Sequence, residues 1–189
     1  NSTYPVGGNF WSDNVVLDGN MDGTVDLPYV IQRDNIDNYP LAGTFLNHSF
    51  LWQSNEYHVT TVCNSSERTF NFFSLENKAS LNFTGPMQTI GFCRICIPKE
   101  LVQGLWRENL SILVNGISPS NMRRWEDNSS VYVYFTYPHP NSQASVVAEF
   151  SHNAFAALLL SLLLVTTFAV KRSIDRLSRT PRSRKSVTD

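Results

Sequence analysis

The residues best placed to do chemistry lie early in the chain, in Asp18-Gly19-Asn20-Met21-Asp22-Gly23-Thr24-Val25-Asp26. Oxygen-bearing side chains recur at alternate positions (Asp18, Asn20, Asp22, then Asp26), and Gly23 stands sixth, where such a loop must turn sharply. That order matches the first nine positions of an EF-hand-type loop, in which Thr24 would offer its carbonyl. Hard oxygen donors at this spacing suit Ca²⁺ far better than copper or zinc. The twelfth position, normally a bidentate Glu, is Tyr29, so flanking helices are not expected, and Asp13, Asp34 or Asp37 would have to complete the shell. The expectation is a structural Ca²⁺ held by Asp18, Asn20, Asp22, Thr24 and Asp26. A solvated Asp/Asn/Gly turn is the plainer alternative.

Other reactive groups offer less. Cys93-Arg94-Ile95-Cys96 has CxxC spacing. On a strand, however, residues three apart face opposite sides, which puts Cys93 with Ile95 and Ile97, and Cys96 with Phe92 and Arg94. In an oxidising compartment Cys63 with Cys93 is the preferred disulfide; buried thiols are the alternative. His48, His58, His139 and His152 are scattered, and His139, between Pro138 and Pro140, reads as an exposed turn. Glu126 and Asp127 are adjacent and do not converge across a sugar, while Arg123 and Arg124 beside them suggest a solvated loop. Trp106, Trp125, Tyr132 and Tyr134 offer a carbohydrate-stacking face or ordinary packing. No Gly-x-Ser-x-Gly elbow, Gly-rich phosphate loop or His-Glu-x-x-His pattern occurs. The expectation is a module without catalytic residues, not an enzyme.

The elements that must position these groups are short and β-rich. From Phe45 to Phe150, runs of Val, Ile, Phe, Tyr and Thr alternate with turn residues. Strands are expected over 57–62, 68–75, 79–84, 90–97, 111–114, 131–137 and 144–150. In Ser80-Leu81-Asn82-Phe83-Thr84 the apolar residues alternate, so Asn82 points outward. Asn115-Gly116 marks a turn, and Pro98–Gln103 reads as a short helix with Pro98 at its start. Seven short strands in about one hundred residues fit a two-sheet sandwich of immunoglobulin-like size.

Charge and hydropathy add a topology. Residues 154–170 carry no charge, Pro or Gly, and seventeen residues make about 26 Å of helix, the short end of a bilayer span. Lys171, Arg172, Arg176, Arg179, Arg182, Arg184 and Lys185 follow it, so the positive-inside bias leaves residues 1–153 outside the cell. Six Asn-x-Ser/Thr sequons, at Asn1, Asn47, Asn64, Asn82, Asn109 and Asn128, all fall on that outer side, as glycosylation sites would. No secretory signal precedes Asn1, so more chain is expected upstream. The acidic start and basic end imply two environments rather than nucleic-acid binding.

Gly7-Gly8-Asn9-Phe10-Trp11-Ser12-Asp13, the Asp-rich loop, Leu27–Ile31 and Asn35–Leu41 follow one another closely. That succession resembles the closing segment of NosD-type right-handed parallel β-helix proteins, a family described as periplasmic copper-binding, and covers residues 4–42. Residues 44–137 further resemble a β-rich module that follows this segment in archaeal surface proteins. The resemblance implies an upstream solenoid that this piece caps, because a last coil otherwise exposes an apolar face and an unpaired edge. Its copper label does not extend to residues 1–42, where no Met/His cluster stands. The expected organisation is a β-helix cap (1–43), a β-sandwich (44–150), a transmembrane helix (151–170) and a basic cytoplasmic tail (171–189). The expected role is a structural or adhesion module displayed at the cell membrane, partnered by the bilayer, the upstream β-helix, and surface polysaccharide or other surface proteins. Alternatives are the end of a polysaccharide-acting β-helix enzyme or a copper-handling protein.

Overall fold

Alternating apolar residues dominate the chain after Thr44, and alternation buries one face of a strand while leaving the other available. In the computed structural model, which describes residues 3–107 and 109–148, these runs become two antiparallel sheets. The first has the order β3-β4-β7-β10-β9, from Thr44–Trp52, Asn55–Cys63, Ile90–Pro98, Ser130–Pro138 and Met122–Glu126. The second has the order β5-β6-β11-β8, from Ser66–Phe73, Lys78–Thr84, Asn141–Ala148 and Leu110–Val114. All seven expected strands are present with shifted ends, and β3 and β9 are additional. The expected transmembrane helix (151–170) and tail (171–189) lie outside the described residues. Among those described, no helix is long and apolar enough to cross a membrane.

The inward faces of the sheets meet in one core. Val59, Leu81, Phe83, Cys93, Ile95, Ile97, Val133, Phe135 and Val146 are all buried there, contributed by strands of both sheets. The one α-helix among the described residues, α1 (Lys99–Trp106), begins directly after Pro98 and buries Leu101, Val102, Leu105 and Trp106 in the same core. These positions lie on one stripe of a 3.6-residue repeat, so the helix is held by that stripe rather than by its length. It runs three residues beyond the expected end at Gln103, closing at Arg107, whose φ is 49°. Trp106 supports this closure by donating Nε1–H to the carbonyl of Asn77 at 2.7 Å.

The segment before Thr44 forms a third, thinner layer. It holds a hairpin of β1 (Tyr29–Gln32) and β2 (Asn35–Asp37), with isolated bridges that tie Leu41 to Phe10 and Thr24. Leu41 packs on Val62, Phe92 and Tyr134, all on the outward face of the first sheet. This segment and the sheets belong to one compact unit.

Candidate functional site

The acidic loop is seated on the outer face of the first sheet by an arginine from a central strand. Arg94, on β7, alternates with Cys93 and Ile95 and therefore points away from the core, yet it is only 3% exposed. Its guanidinium donates to the carbonyls of Pro5 (2.8 Å), Val6 (3.0 Å) and Asp22 (3.1 Å). Burial lowers its pKa, and the nearby Asp22 carboxylate works in the opposite direction. A buried cation is tolerated only when its donors find acceptors, and the planar fork of Arg can serve several carbonyls at once. Gly23 makes the approach possible: its φ is +82°, and a Cβ there would stand 2.9 Å from Arg94 Cδ. At the sheet edge Arg123 donates to the Asn20 carbonyl at 2.6 Å and lies 4.9 Å from the ring of Trp125.

Within the loop the carboxylates are turned to backbone donors. Asp18 accepts from the N–H of Asp22 (3.1 Å) and of Gly23 (2.8 Å), and Asp26 from that of Gly19 (2.9 Å). Asp22, 2% exposed, accepts from Thr24 N–H at 2.8 Å and from the Thr24 hydroxyl. Burial pushes the Asp18 carboxyl above its usual range; the charges of Asp22 and Asp26 add to the shift, and its two backbone bonds oppose it. The Tyr134 hydroxyl is likewise pushed up, first by burial and then by Asp18 and Asp22.

The structure thus brings Asp22 and Asp26 near enough for their charges to act on Asp18, while Asn20 is engaged by Arg123 and the Thr24 hydroxyl by Asp22. The donors are all oxygen and suit a hard cation chemically. Among the described residues, however, no group of three or more His, Cys, Asp or Glu converges as a metal cage. Of Asp13, Asp34 and Asp37, the candidates to complete a shell, Asp13 and Asp37 are engaged elsewhere. Asp37 accepts from Asn9 N–H, Trp11 Nε1 and Tyr39 N–H, and Asp13 accepts from the Tyr29 hydroxyl at 2.7 Å. The Tyr29 ring stacks on Trp11 at 4.6 Å. The softer donors among the described residues are dispersed: Cys63 and Cys93 lie in the core, and His48 stacks on Phe70.

Three other expectations meet the geometry here. Cys63 and Cys93 stand directly opposite each other on β4 and β7, both fully buried, whereas Cys96 is half-buried on the other face. Trp106, Tyr132 and Tyr134 are buried, and Trp125 is half-buried with its ring 5.3 Å from that of Tyr132. These four aromatics pack; they do not make an open stacking face for sugar. His139 is half-buried rather than an exposed turn. Thr89 spends its hydroxyl proton on the Pro86 carbonyl (2.7 Å), so it accepts from His139 Nδ1–H at 2.6 Å. Nε2 is then left to accept from the Ser65 hydroxyl at 2.6 Å. Ser65 is buried and the group beyond the imidazole is a threonine, so this chain ties three turns together rather than activating a nucleophile.

Arg94 and Arg123 stand in no motif that marks them as site residues. Arg123, in a stretch whose charges suggest a solvated loop, lies on strand β9, where it shares a face with Trp125. The signal for Arg94 was a lone charge inside the apolar run 90–97, which a central strand does not carry unless something covers it.

Fold and site together define a mainly β protein of facing antiparallel sheets, with an outer layer pinned by buried arginine. Compared with protein-family models, with curated proteins and with solved structures, the chain finds no match.

Proposed function

We propose that this chain is the non-enzymatic, membrane-anchored end of a cell-surface protein. The layer before Thr44 closes an upstream parallel β-helix, an immunoglobulin-like sandwich displays it, and residues 151–170 hold it in the bilayer with the basic tail in the cytoplasm. What supports the reading most is the outward surface of that layer. Of twenty-one exposed large apolar side chains among the described residues, twelve precede Thr44, including Val6, Val15, Leu17, Leu27, Val30 and Ile36. Apolar exposure concentrated in one layer marks a surface that another element covers. The last coil of a solenoid offers the complement, an apolar face and a strand edge that need a cap.

Calcium enters this proposal as a staple of the same layer. A divalent cation beside Asp18, Asp22 and Asp26 would favour the ionised form of Asp18, which burial and the two neighbouring charges now disfavour.

The test of the cap is hydrogen exchange on chains with and without the sequence that precedes Asn1. With the upstream coils attached, amides of Leu27–Asp37 should exchange more slowly and dye binding to exposed apolar surface should fall. Equal exchange in both chains would overturn the cap reading.

A further inference from the structure

The outward face of the second sheet, opposite the layer discussed above, carries a row of polar side chains that the cap reading leaves unused. Thr69 on β5, Asn82 on β6, Gln143 on β11 and Asn115 just past β8 follow the strand order across the sheet. Asn82 is the register partner of both Thr69 and Gln143. Gln143 Nε2 donates to Asn82 Oδ1 at 3.0 Å, and Asn82 Nδ2 donates to Thr69 Oγ1 at 2.7 Å. The backbone N–H of Gln143 donates to Asn115 Oδ1 at 2.9 Å. In the adjacent row, Thr84 Oγ1 donates to Asn141 Oδ1 at 3.1 Å. Together they line a shallow recess of about 390 Å³ whose lining contains no charged residue.

Each primary amide carries two donors and an oxygen with two lone pairs, so one bond to a neighbour leaves capacity for a ligand. The bonds along the row fix the amide planes in advance, which lowers the ordering cost when a ligand arrives. Sugar hydroxyls both donate and accept and are matched by such groups, whereas an anionic ligand would need Arg or Lys. Lys78 is on the same face but outside the recess, whose lining lacks the charges that make up roughly a quarter or more of ordinary surfaces.

We propose that this recess is a binding site for a neutral carbohydrate. It stands independently of the membrane and cap readings, because none of its residues belongs to the layer before Thr44. Asn82 also heads a sequon, and an N-linked sugar there would fill the same recess. The test therefore uses the full chain made in a host that adds no N-linked sugar.

That chain is titrated with cellohexaose, maltohexaose and mannohexaose, with hexagalacturonate as the anionic comparison. Saturable binding of a neutral hexamer is expected, and Gln143→Ala and Asn141→Ala should each weaken it by about tenfold. Both side chains are exposed, so melting temperatures should hold. Asn71→Ala, on the same face but outside the recess, should bind as the wild type does. No neutral hexamer bound at about 10 mM, preference for hexagalacturonate, or undiminished binding in both recess variants would each overturn the site.

Discussion

Arg94, on central strand β7, ties the outer layer to the first sheet. Three carbonyls from two separate stretches of the N-terminal segment converge on its guanidinium, and Asp22 stands beside it. Removing the cation leaves those carbonyls and a buried carboxylate without it, so Arg94→Met should cost about 3–5 kcal/mol in urea unfolding. A loss below about 1 kcal/mol would mean that the layer is held by Leu41 and its neighbours alone. Asp18 gives the loop a pH dependence of opposite sense to an ordinary salt bridge. Its folded pKa is raised above 3.8 by burial and by Asp22 and Asp26, so the folded state takes up a proton first as pH falls. Stability relative to Asp18→Asn should therefore increase on acidification from neutral pH toward that value in chelator. Saturating calcium, which favours the ionised form, should reverse the slope. The same slope with and without calcium would remove the metal from the proposal.

At the scale of elements, alternation located the strands that have one apolar face and failed where both faces are mixed. β3 reads Thr-Phe-Leu-Asn-His-Ser-Phe-Leu-Trp, and its polar centre hides a strand whose inner residues His48 and Phe50 stack on Phe70 and Phe72 respectively. β9 was concealed by Arg123, Arg124 and Glu126, charges that suit an edge strand facing water. Turns proved less independent than their residues suggested. His139 in the β10–β11 turn joins Ser65 between β4 and β5 to Thr89 between β6 and β7. His139→Ala should lower unfolding free energy by about 1–3 kcal/mol, because the buried Ser65 hydroxyl loses its 2.6 Å acceptor. A change under about 0.5 kcal/mol would show that the turns hold themselves.

The whole molecule raises the question of where its parts reside. An uncharged run at 154–170 followed by seven basic residues suits a span with a cytoplasmic tail. Leu160→Arg with Leu163→Arg should move the chain from the membrane fraction to the soluble one, since charge at mid-bilayer is strongly disfavoured. Retention in the membrane fraction would remove the anchor from the proposal.

Sequence alone determined the β class, seven strand positions, a helix after Pro98, and the opposed faces of Cys93 and Cys96, because these depend on local periodicity and backbone restriction. It also marked the acidic loop as a distinct feature, through its oxygen side chains and Gly23. Only the tertiary structure decided what that loop touches. Arg94 and Asp22 are 72 residues apart, and the bonded amides Asn82 and Gln143 are 61 residues apart. No local pattern encodes such meetings. They follow from which sheet faces are covered and how the strands are ordered, and both depend on burial summed over the whole chain.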